Sequence, residues 1–267
     1  MLLREVEYAR PSSLDDAIRL LARNDGARAL AGGQTLLNVM KARAASPDVL
    51  VDRNKLDELR RIAVVGDARE VGAMTTYSQL MTSSEVDVAC PVLAEVCGMI
   101  ADVQVRNRGT IGGNVCSSDP TNHLPPLMVA LGAEMVIVGA GGERTVPAAE
   151  FFLGVYLTAA GPGELLTTIR VPAGQKAAFE AVTLGADGTC LVSAAARARD
   201  GVRIALGCVD AVPVIVDAAS ADEAAVRTAV QGVGLAPPED VHASSDYRRH
   251  LAEIVAVRAA RAASERN

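Results

Sequence analysis

The feature that most constrains this chain is a pair of glycines between a hydroxyl residue and an asparagine, at residues 110–114 (TIGGN). Adjacent glycines let the backbone turn sharply and bring its N–H groups close to a bulky anion. Thr110 and Asn114 add side-chain donors, and Arg106 and Arg108 add positive charge nearby. We therefore predict an anion-binding turn here, and the diphosphate of a dinucleotide is the anion that suits it best.

The same chemistry occurs earlier in the chain, at residues 30–37 (LAGGQTLL). An apolar strand end leads into a glycine pair, an amide and a hydroxyl, and an apolar run follows. We call residues 30–37 the first glycine segment and residues 110–114 the second. One diphosphate held between the two segments would have donors on both sides. Neither has the spacing of the Rossmann or Walker motifs, so the usual nucleotide-binding folds are not predicted.

Together, AGGQTLL (31–37) and TIGGNVCSSDP (110–120) resemble the FAD-binding medium subunit of the molybdenum hydroxylases. That family includes the flavin subunits of carbon monoxide dehydrogenase and of bacterial xanthine, nicotine and aldehyde oxidoreductases. Weaker matches extend the resemblance over nearly the whole chain, around residues 8–17, 163–172, 205–209 and 247–251. The resemblance implies a two-lobed FAD-binding domain of the PCMH type.

The resemblance also implies which residues hold FAD. The first glycine segment would hold the diphosphate from one side, through Ala31, Gly32, Gly33, Gln34, Thr35 and Leu36. The second would hold it from the other side, through Thr110, Gly112, Gly113 and Asn114. Apolar contacts to the flavin or the adenine would come from Ile100 and Leu166. Asp119 would bind a ribose hydroxyl or the backbone of its own loop, and the alternative is that it caps a helix before Pro120.

Two positions depart from the family pattern. The family commonly has an aspartate where this chain has His123. A histidine can hydrogen-bond an adenine or ribose group, so His123 is included among the cofactor-binding residues; the alternative is an ordinary surface histidine. The family also often has a lysine after the aromatic residue that opens the third lobe, whereas Phe179 is followed by Glu180 and Ala181. Charge stabilisation near the flavin ring is expected to be weaker as a result.

The function that the resemblance implies is that of an FAD-dependent oxidoreductase subunit. A large molybdopterin subunit would oxidise the substrate, and a small subunit with two [2Fe–2S] clusters would pass electrons to FAD, in a dimer of heterotrimers. The flavin would then reduce NAD, a quinone, oxygen or another acceptor. Two alternatives stay open: a scaffold or assembly subunit of the same fold with weak or no FAD binding, and a free-standing flavin oxidoreductase.

Composition argues against several other classes of protein. A chain of 267 residues can form one large domain or two to three lobes. The net charge of −6 argues against a nucleic-acid partner, and no apolar run approaches the roughly 20 residues of a membrane span. Arg4 and Glu5 interrupt the N-terminal apolar residues where a signal peptide needs an unbroken core, so we predict a cytoplasmic protein.

Catalytic and metal-binding motifs are missing from the sequence. There are three histidines and no G-x-S-x-G or H-E-x-x-H motif, so a self-contained hydrolase is not predicted. The five cysteines are scattered without a C-x-x-C pair, which predicts buried packing residues rather than a zinc or iron–sulfur site. Cys116, just after the second glycine segment, is the mild exception. A bound redox cofactor that carries the reaction itself suits such a chain.

Hydrophobic patterns predict an α+β fold in three parts. Residues 1–55 are predicted to form a β–α–β subdomain with an edge strand at 4–10, and residues 56–172 a second FAD-binding subdomain. Residues 173–267 are predicted to form a C-terminal domain. There we expect a three-stranded antiparallel sheet and two helices, with strands at 177–182, 189–199 and 202–209 and helices at 221–230 and 245–263. Arg248, Arg249, Arg258 and Arg261 are expected mostly on a solvated face of the last helix.

Overall fold

The computed structural model describes residues 3–185 and 188–266. Its first part is a three-stranded parallel sheet in the order β1-β3-β2, with the predicted edge strand confirmed as β1. Helix α1 begins where Ser13 accepts a hydrogen bond from the backbone N–H of Asp16, and it buries Ala17, Ile18 and Leu21 against the sheet. The elements are β1 (Glu7–Ala9), α1 (Leu14–Arg23), β2 (Ala27–Leu30), α2 (Leu36–Lys41) and β3 (Val49–Asp52).

A five-stranded antiparallel sheet in the order β4-β5-β10-β6-β7 forms the second part. Strands β4 and β5 at the start of this part form an antiparallel pair. After a short 3-10 helix (Asp57–Arg60) the elements are β4 (Ile62–Val65), β5 (Ala68–Gly72), α3 (Tyr77–Thr82), α4 (Ser84–Ala89), α5 (Pro91–Met99), α6 (Val103–Arg108), α7 (Ile111–Ser117), α8 (Leu124–Leu131), β6 (Glu134–Gly139), β7 (Gly142–Pro147), α9 (Ala148–Phe151), β8 (Phe152–Gly154), β9 (Leu157–Thr158) and β10 (Leu165–Pro172).

The second glycine segment is not the open turn that its glycine pair predicts, because Ile111, Gly112 and Gly113 form the first turn of α7. Thr110 caps this helix, and its Oγ1 accepts a hydrogen bond from the Gly113 N–H at 3.0 Å. Gly112 packs directly on the backbone of Ala73, where a side chain would overlap. This tertiary contact outweighs the low helix propensity of glycine.

The C-terminal sheet has four antiparallel strands in the order β11-β12-β13-β14, one more than the sequence predicts. The additional strand β14 pairs with β13 over its whole length, and the Arg203–Asp217 ion pair (2.9 Å) joins them on the exposed side. Because this polar pair faces solvent, Asp217 is compatible with a strand. The elements are β11 (Lys176–Thr183), β12 (Cys190–Ala198), β13 (Val202–Gly207), β14 (Val214–Ala218), α10 (Glu223–Gly232) and α11 (Ser245–Glu265).

Helix α8 joins the second and third parts of the molecule. All of its residues are buried, and it contacts β10 of the central sheet as well as β12 and β13 of the C-terminal sheet. Helix α11 covers the opposite face of the C-terminal sheet with an alanine-rich surface. The three larger sheets lie one each within the segments 1–55, 56–172 and 173–267, whose limits as domains stay a prediction, and the two-stranded sheet β8-β9 lies within the second segment. Among the described residues, no helix combines the length and the apolar character needed to cross a membrane.

Three of the four arginines of α11 are exposed, as expected, and Arg248 is the exception. Arg248 is 4% exposed, whereas Arg249, Arg258 and Arg261 are exposed. The Arg248 guanidinium donates to the Leu191 carbonyl oxygen at 2.5 Å and to Asp240 Oδ2 at 2.6 Å. Arg248 is buried because it projects from α11 toward the start of β12, where it satisfies a backbone carbonyl that α11 shields from water.

We expect Arg248→Ala to destabilise the protein by about 2 kcal/mol, because a buried carbonyl loses a charged donor. Arg249→Ala removes an exposed arginine from the same turn and should change stability by less than about 0.5 kcal/mol. Urea unfolding followed by circular dichroism measures both variants. Equal midpoints for the two would show that the buried contact contributes nothing to stability.

Candidate cofactor site

The two glycine segments meet in space, although they are far apart in the chain. A Cβ atom on Gly32 would overlap the carbonyl group of Arg108 and the Cα of Gly109. A Cβ atom on Gly113 would lie 3.6 Å from the Cβ of Ala31. The end of β2 therefore lies directly against the start of α7, as a shared diphosphate site requires.

Unpaired backbone donors are concentrated in the first glycine segment. The N–H groups of residues 32–36 donate to no other group within the described part of the chain. Gly33 has φ +75°, in the left-handed region, and its carbonyl accepts the Leu37 N–H at 3.1 Å as α2 begins. A run of free N–H groups around a left-handed residue is a concave site for an anion.

The second glycine segment contributes fewer backbone donors than its sequence predicts. The Ile111 N–H bonds to the Thr75 carbonyl at 3.0 Å, and the Gly112 N–H bonds to the Ala73 carbonyl at 2.9 Å. The Gly113 N–H is taken by the Thr110 cap. These amides are occupied because α7 docks on the chain that leaves β5. What the segment offers is the N-terminus of α7, the bare surface of Gly113 and the side chain of Asn114.

A hydrogen-bond network holds the first glycine segment against its neighbours. The Asn54 amide donates to the Ala31 carbonyl at 3.0 Å and to Asp52 Oδ1 at 2.6 Å. Arg60 donates to Asn54 Oδ1 at 3.2 Å and to the Met74 carbonyl at 3.0 Å. Tyr8 also donates to Asp52. This network ties the end of β2 to the segment on which α7 docks.

Arg53 is a buried charge beside these segments that the sequence analysis did not identify. Its side chain is 7% exposed, its Nε has no hydrogen-bond partner, and it forms no ion pair within the described residues. Burial lowers the pKa of Arg53, although Cys116 and Asp52 lie near enough to favour its charged form. A charged residue immediately after the buried strand β3 was the available signal.

Asn114 and Asp119 lie on the α7 side of the site. Asn114 is buried, its Oδ1 has no partner, and its side chain approaches the Tyr77 hydroxyl. Asp119 Oδ1 accepts the Thr121 N–H at 2.9 Å and the Thr121 hydroxyl at 2.8 Å. Asp119 therefore binds the backbone of its own loop, and the alternative role as a helix cap is wrong because α8 begins only at Leu124.

The expected apolar contacts and the flanking arginines have structural partners within the protein. Ile100 is half-buried against the main core, and its carbonyl accepts a hydrogen bond from Arg106 at 3.1 Å. Leu166 is buried in the main core on β10. Arg106 also donates to the Ala101 carbonyl, so its guanidinium is already hydrogen-bonded to the turn before α6. Arg108 is exposed, and its carbonyl meets Gly32.

His123 is not a surface histidine. It is 7% exposed at the start of α8, its ring centroid lies 5.2 Å from that of Phe179, and its Nδ1 has no partner. The side chain of Cys190 adjoins it, Cys208 adjoins Cys190, and Ser193 Oγ is buried without a partner on the same strand as Cys190. The sequence analysis treated these cysteines as packing residues and did not connect them with His123.

These observations describe a site for an extended polar ligand with an anionic centre. Buried polar atoms without partners are uncommon in proteins and indicate a missing partner. Here they include Asn114 Oδ1, His123 Nδ1 and Arg53 Nε, together with the free N–H groups of residues 32–36. Within the described ranges no group of three or more His, Cys, Asp or Glu residues could hold a metal ion.

Comparison with known proteins identifies the family. The family described as "FAD binding domain in molybdopterin dehydrogenase" matches residues 4–174. The chain belongs to this family. A relative of nearly full length is the glyceraldehyde dehydrogenase medium chain of Sulfolobus acidocaldarius, which is 32% identical over 96% of this chain and 97% of its own length.

Medium chains of carbon monoxide dehydrogenases are similar to this chain in both sequence and structure. The carbon monoxide dehydrogenase medium chain of Hydrogenophaga pseudoflava is 45% identical over 65% of this chain, a match that spans 61% of that relative. The solved structure of reconstituted CO dehydrogenase from Oligotropha carboxidovorans contains a chain with a TM-score of 0.95 and 34% identity, covering 100% of both chains. The chain is thus an FAD-binding medium subunit of the molybdenum hydroxylase family and an FAD-dependent oxidoreductase subunit.

The residues of the site fit the FAD that this family binds. A dinucleotide diphosphate is anionic and takes several N–H donors, which residues 32–36 offer. Gly113 has no side chain to block the approach to α7. His123 and Asn114 present unpaired polar atoms, as contacts to sugar or ring groups require.

We expect Gly32→Ala to weaken FAD binding by about tenfold or more, because the new methyl group must push the first glycine segment away from Arg108. The matched control is Gly232→Ala, where an added Cβ meets nothing within 4 Å. Titration of the flavin-free protein with FAD, followed by flavin fluorescence, measures both affinities. An unchanged affinity in Gly32→Ala would show that the contact between the segments does not shape the site.

Proposed function

We propose that this chain is the electron-transfer subunit of a molybdenum hydroxylase complex. Electrons would reach its FAD from [2Fe–2S] clusters of a small partner subunit, after a large molybdopterin subunit oxidises the substrate. They would leave for NAD, a quinone, oxygen or another acceptor. The partners would assemble as a dimer of heterotrimers in the cytoplasm. FAD supplies the redox chemistry when bound, and this chain binds, orients and shields it.

The observation that carries the proposal is the first glycine segment, whose N–H groups at residues 32–36 are unpaired at the point where it touches α7. We assign the FAD diphosphate to these groups, in the segment formed by Ala31, Gly32, Gly33, Gln34, Thr35 and Leu36. Thr110, Gly112, Gly113 and Asn114 would form the facing wall. Because Gly112 and Gly113 donate elsewhere, their part is to provide space rather than hydrogen bonds.

The remaining residues would contact the other parts of the cofactor. The His123 Nδ1 atom is available to hydrogen-bond a polar group of the adenine, ribose or flavin. Asp119 would accept from a ribose hydroxyl through Oδ2, which also accepts from the Tyr156 hydroxyl at 3.4 Å, because Oδ1 already holds Thr121. Ile100 would supply an apolar surface, and Leu166 would act from the core beneath the site. Arg53 would balance the diphosphate charge.

The alternative is a scaffold subunit that keeps the fold and binds FAD weakly. It is favoured by one observation: the backbone donors predicted in the second glycine segment are already bonded within the protein. A direct measurement of FAD binding distinguishes the two functions. Protein expressed alone and passed over a gel-filtration column should be yellow, or should acquire a flavin spectrum after incubation with FAD. Protein that stays colourless at saturating FAD would reject the proposed function.

Electron transfer needs a separate test in the assembled complex. Co-expression with genes for a molybdopterin subunit and an iron–sulfur subunit from the same organism should give a complex in which substrate bleaches the flavin absorbance. A complex that binds FAD and never reduces it would contradict the electron-transfer role. If the isolated chain instead oxidises a simple substrate by itself, it is a free-standing flavin oxidoreductase.

We expect Arg53→Met to weaken FAD binding by roughly tenfold to a hundredfold, because a charge-assisted contact contributes about 1.5 to 3 kcal/mol. Methionine keeps most of the length of the buried side chain and removes its charge. Arg61→Met, at an exposed site close in sequence, is the control and should bind FAD normally. Isothermal titration at two salt concentrations measures the affinities. A smaller salt dependence in Arg53→Met alone would support a direct ionic contact.

A further inference from the structure

A β-bulge sets the direction of Cys190 at the start of β12. Val182 of β11 pairs with Val192, but the next residue, Thr183, pairs with Cys190, so Leu191 is the extra residue. One extra residue reverses the alternation of side chains. Cys190 therefore faces α8 together with Ser193, whereas Leu191 and Val192 belong to the cluster packed under α11. Without the bulge, Cys190 would point away from His123.

Cys208 reaches the same place from the next strand. It follows Gly207, the last residue of β13, which pairs with Ser193. Cys208 has φ +65°, an unusual conformation for a residue other than glycine, and this turns its side chain back over the sheet. Its sulfur lies 3.1 Å from the Pro120 carbonyl oxygen and also within hydrogen-bonding reach of Cys190. Both thiols are free and almost fully buried, at 2% and 5% exposure.

The two thiols are chemically unequal. The hydrogen bond from Cys208 lowers the pKa of Cys190, and the adjoining His123 lowers it further against the opposing effect of burial. The same hydrogen bond raises the pKa of Cys208, because Cys208 loses the proton that it donates less readily. Burial raises the pKa of Cys208 further. Cys190 is therefore the nucleophile of the pair, and Cys208 is the partner that keeps its proton.

We propose that Cys190 and Cys208 are a peroxide-reactive thiol pair that closes reversibly to a disulfide beside His123. The Cys190 thiolate attacks one oxygen of hydrogen peroxide, the O–O bond breaks, and hydroxide leaves. This gives a sulfenic acid on Cys190. The Cys208 sulfur then attacks the Cys190 sulfur, forming the S–S bond, and the sulfenic oxygen leaves as water with the Cys208 proton. Two thiols lose two electrons, and one peroxide gains them.

Burial restricts the oxidant to a small molecule. A niche lined by Asp119, Pro120 and Cys208 admits about one water-sized molecule on the Cys208 side of the pair. Hydrogen peroxide is of that order of size, whereas a disulfide such as oxidised glutathione is too large to enter. The pair is defined by this chain alone, so it does not depend on the proposed electron-transfer function.

Cys90 and Cys97 provide an internal control. Both are buried and free, and burial raises the pKa of the Cys90 thiol to about 11 and also raises that of Cys97. In Cys90 and Cys97 burial is the largest influence on the thiol pKa, and at Cys90 it outweighs the nearby Arg266 charge and the Leu93 N–H, which favour the thiolate. Cys116 is exposed and would form intermolecular disulfides, so the experiments use a Cys116→Ser background.

The decisive experiment is peptide mapping of reduced, flavin-free protein after a brief treatment with hydrogen peroxide. We expect an intramolecular cross-link between the peptides that carry residues 190 and 208, lighter by two hydrogen atoms and restored by a reductant. Cys190 should be modified at least about tenfold faster than Cys90 or Cys97. The inference is overturned if no such cross-link forms, or if Cys190 reacts no faster than the control cysteines.

Two variants separate the roles of the thiols. In Cys208→Ser, peroxide should leave a sulfenic acid on Cys190, trapped by dimedone that is present while the treated protein is unfolded, and in Cys190→Ser, residue 208 should stay unmodified. Cys97→Ser should leave the cross-link intact. If either variant of the pair fails to fold, the map of the protein with both thiols still decides the question. Failure of the cross-link would leave FAD binding, measured separately, unaffected.

Discussion

The arrangement of the site depends on one close approach, that of Gly32 to the backbone of Arg108 and Gly109. No side chain fits between these segments, so the end of β2 can lie directly against the start of α7. That contact places the unpaired N–H groups of the first glycine segment beside the bare surface of Gly113. Asn54 and Arg60 maintain the spacing by bonding both the Ala31 carbonyl and the Met74 carbonyl. The proposed cofactor site is thus a product of backbone packing.

The sequence predicted that the two glycine segments meet, but it did not predict which of their backbone amides remain free. Both glycine pairs were identified because close backbone approach requires glycine, and that requirement is visible in single residues. Which amides remain free was not predictable, since it depends on whether the Ala73 and Thr75 carbonyls accept from α7. Arg53 was missed for a similar reason. A charged residue after a strand normally points to solvent, and only the packing of α7 near it buries this one.

The C-terminal part departs more from expectation, again for geometric reasons. The fourth strand and the buried Arg248 both reflect contacts between segments distant in sequence. The association of His123 with Cys190 and Cys208 follows from a single extra residue at Leu191 and a left-handed residue at Cys208. Neither irregularity changes the hydrophobic pattern of the strands. The sequence therefore predicted both cysteines only as ordinary packing residues of the core.

The contact between the first glycine segment and α7 has a consequence for how the protein matures. The first glycine segment follows β2 of the parallel sheet, whereas α7 docks on the chain that leaves β5 of the five-stranded sheet. Early intermediates that have only one of these sheets thus lack the proposed flavin site. A ligand that binds only the docked form stabilises it by mass action, so FAD bound at the proposed site would favour the docked form over those intermediates.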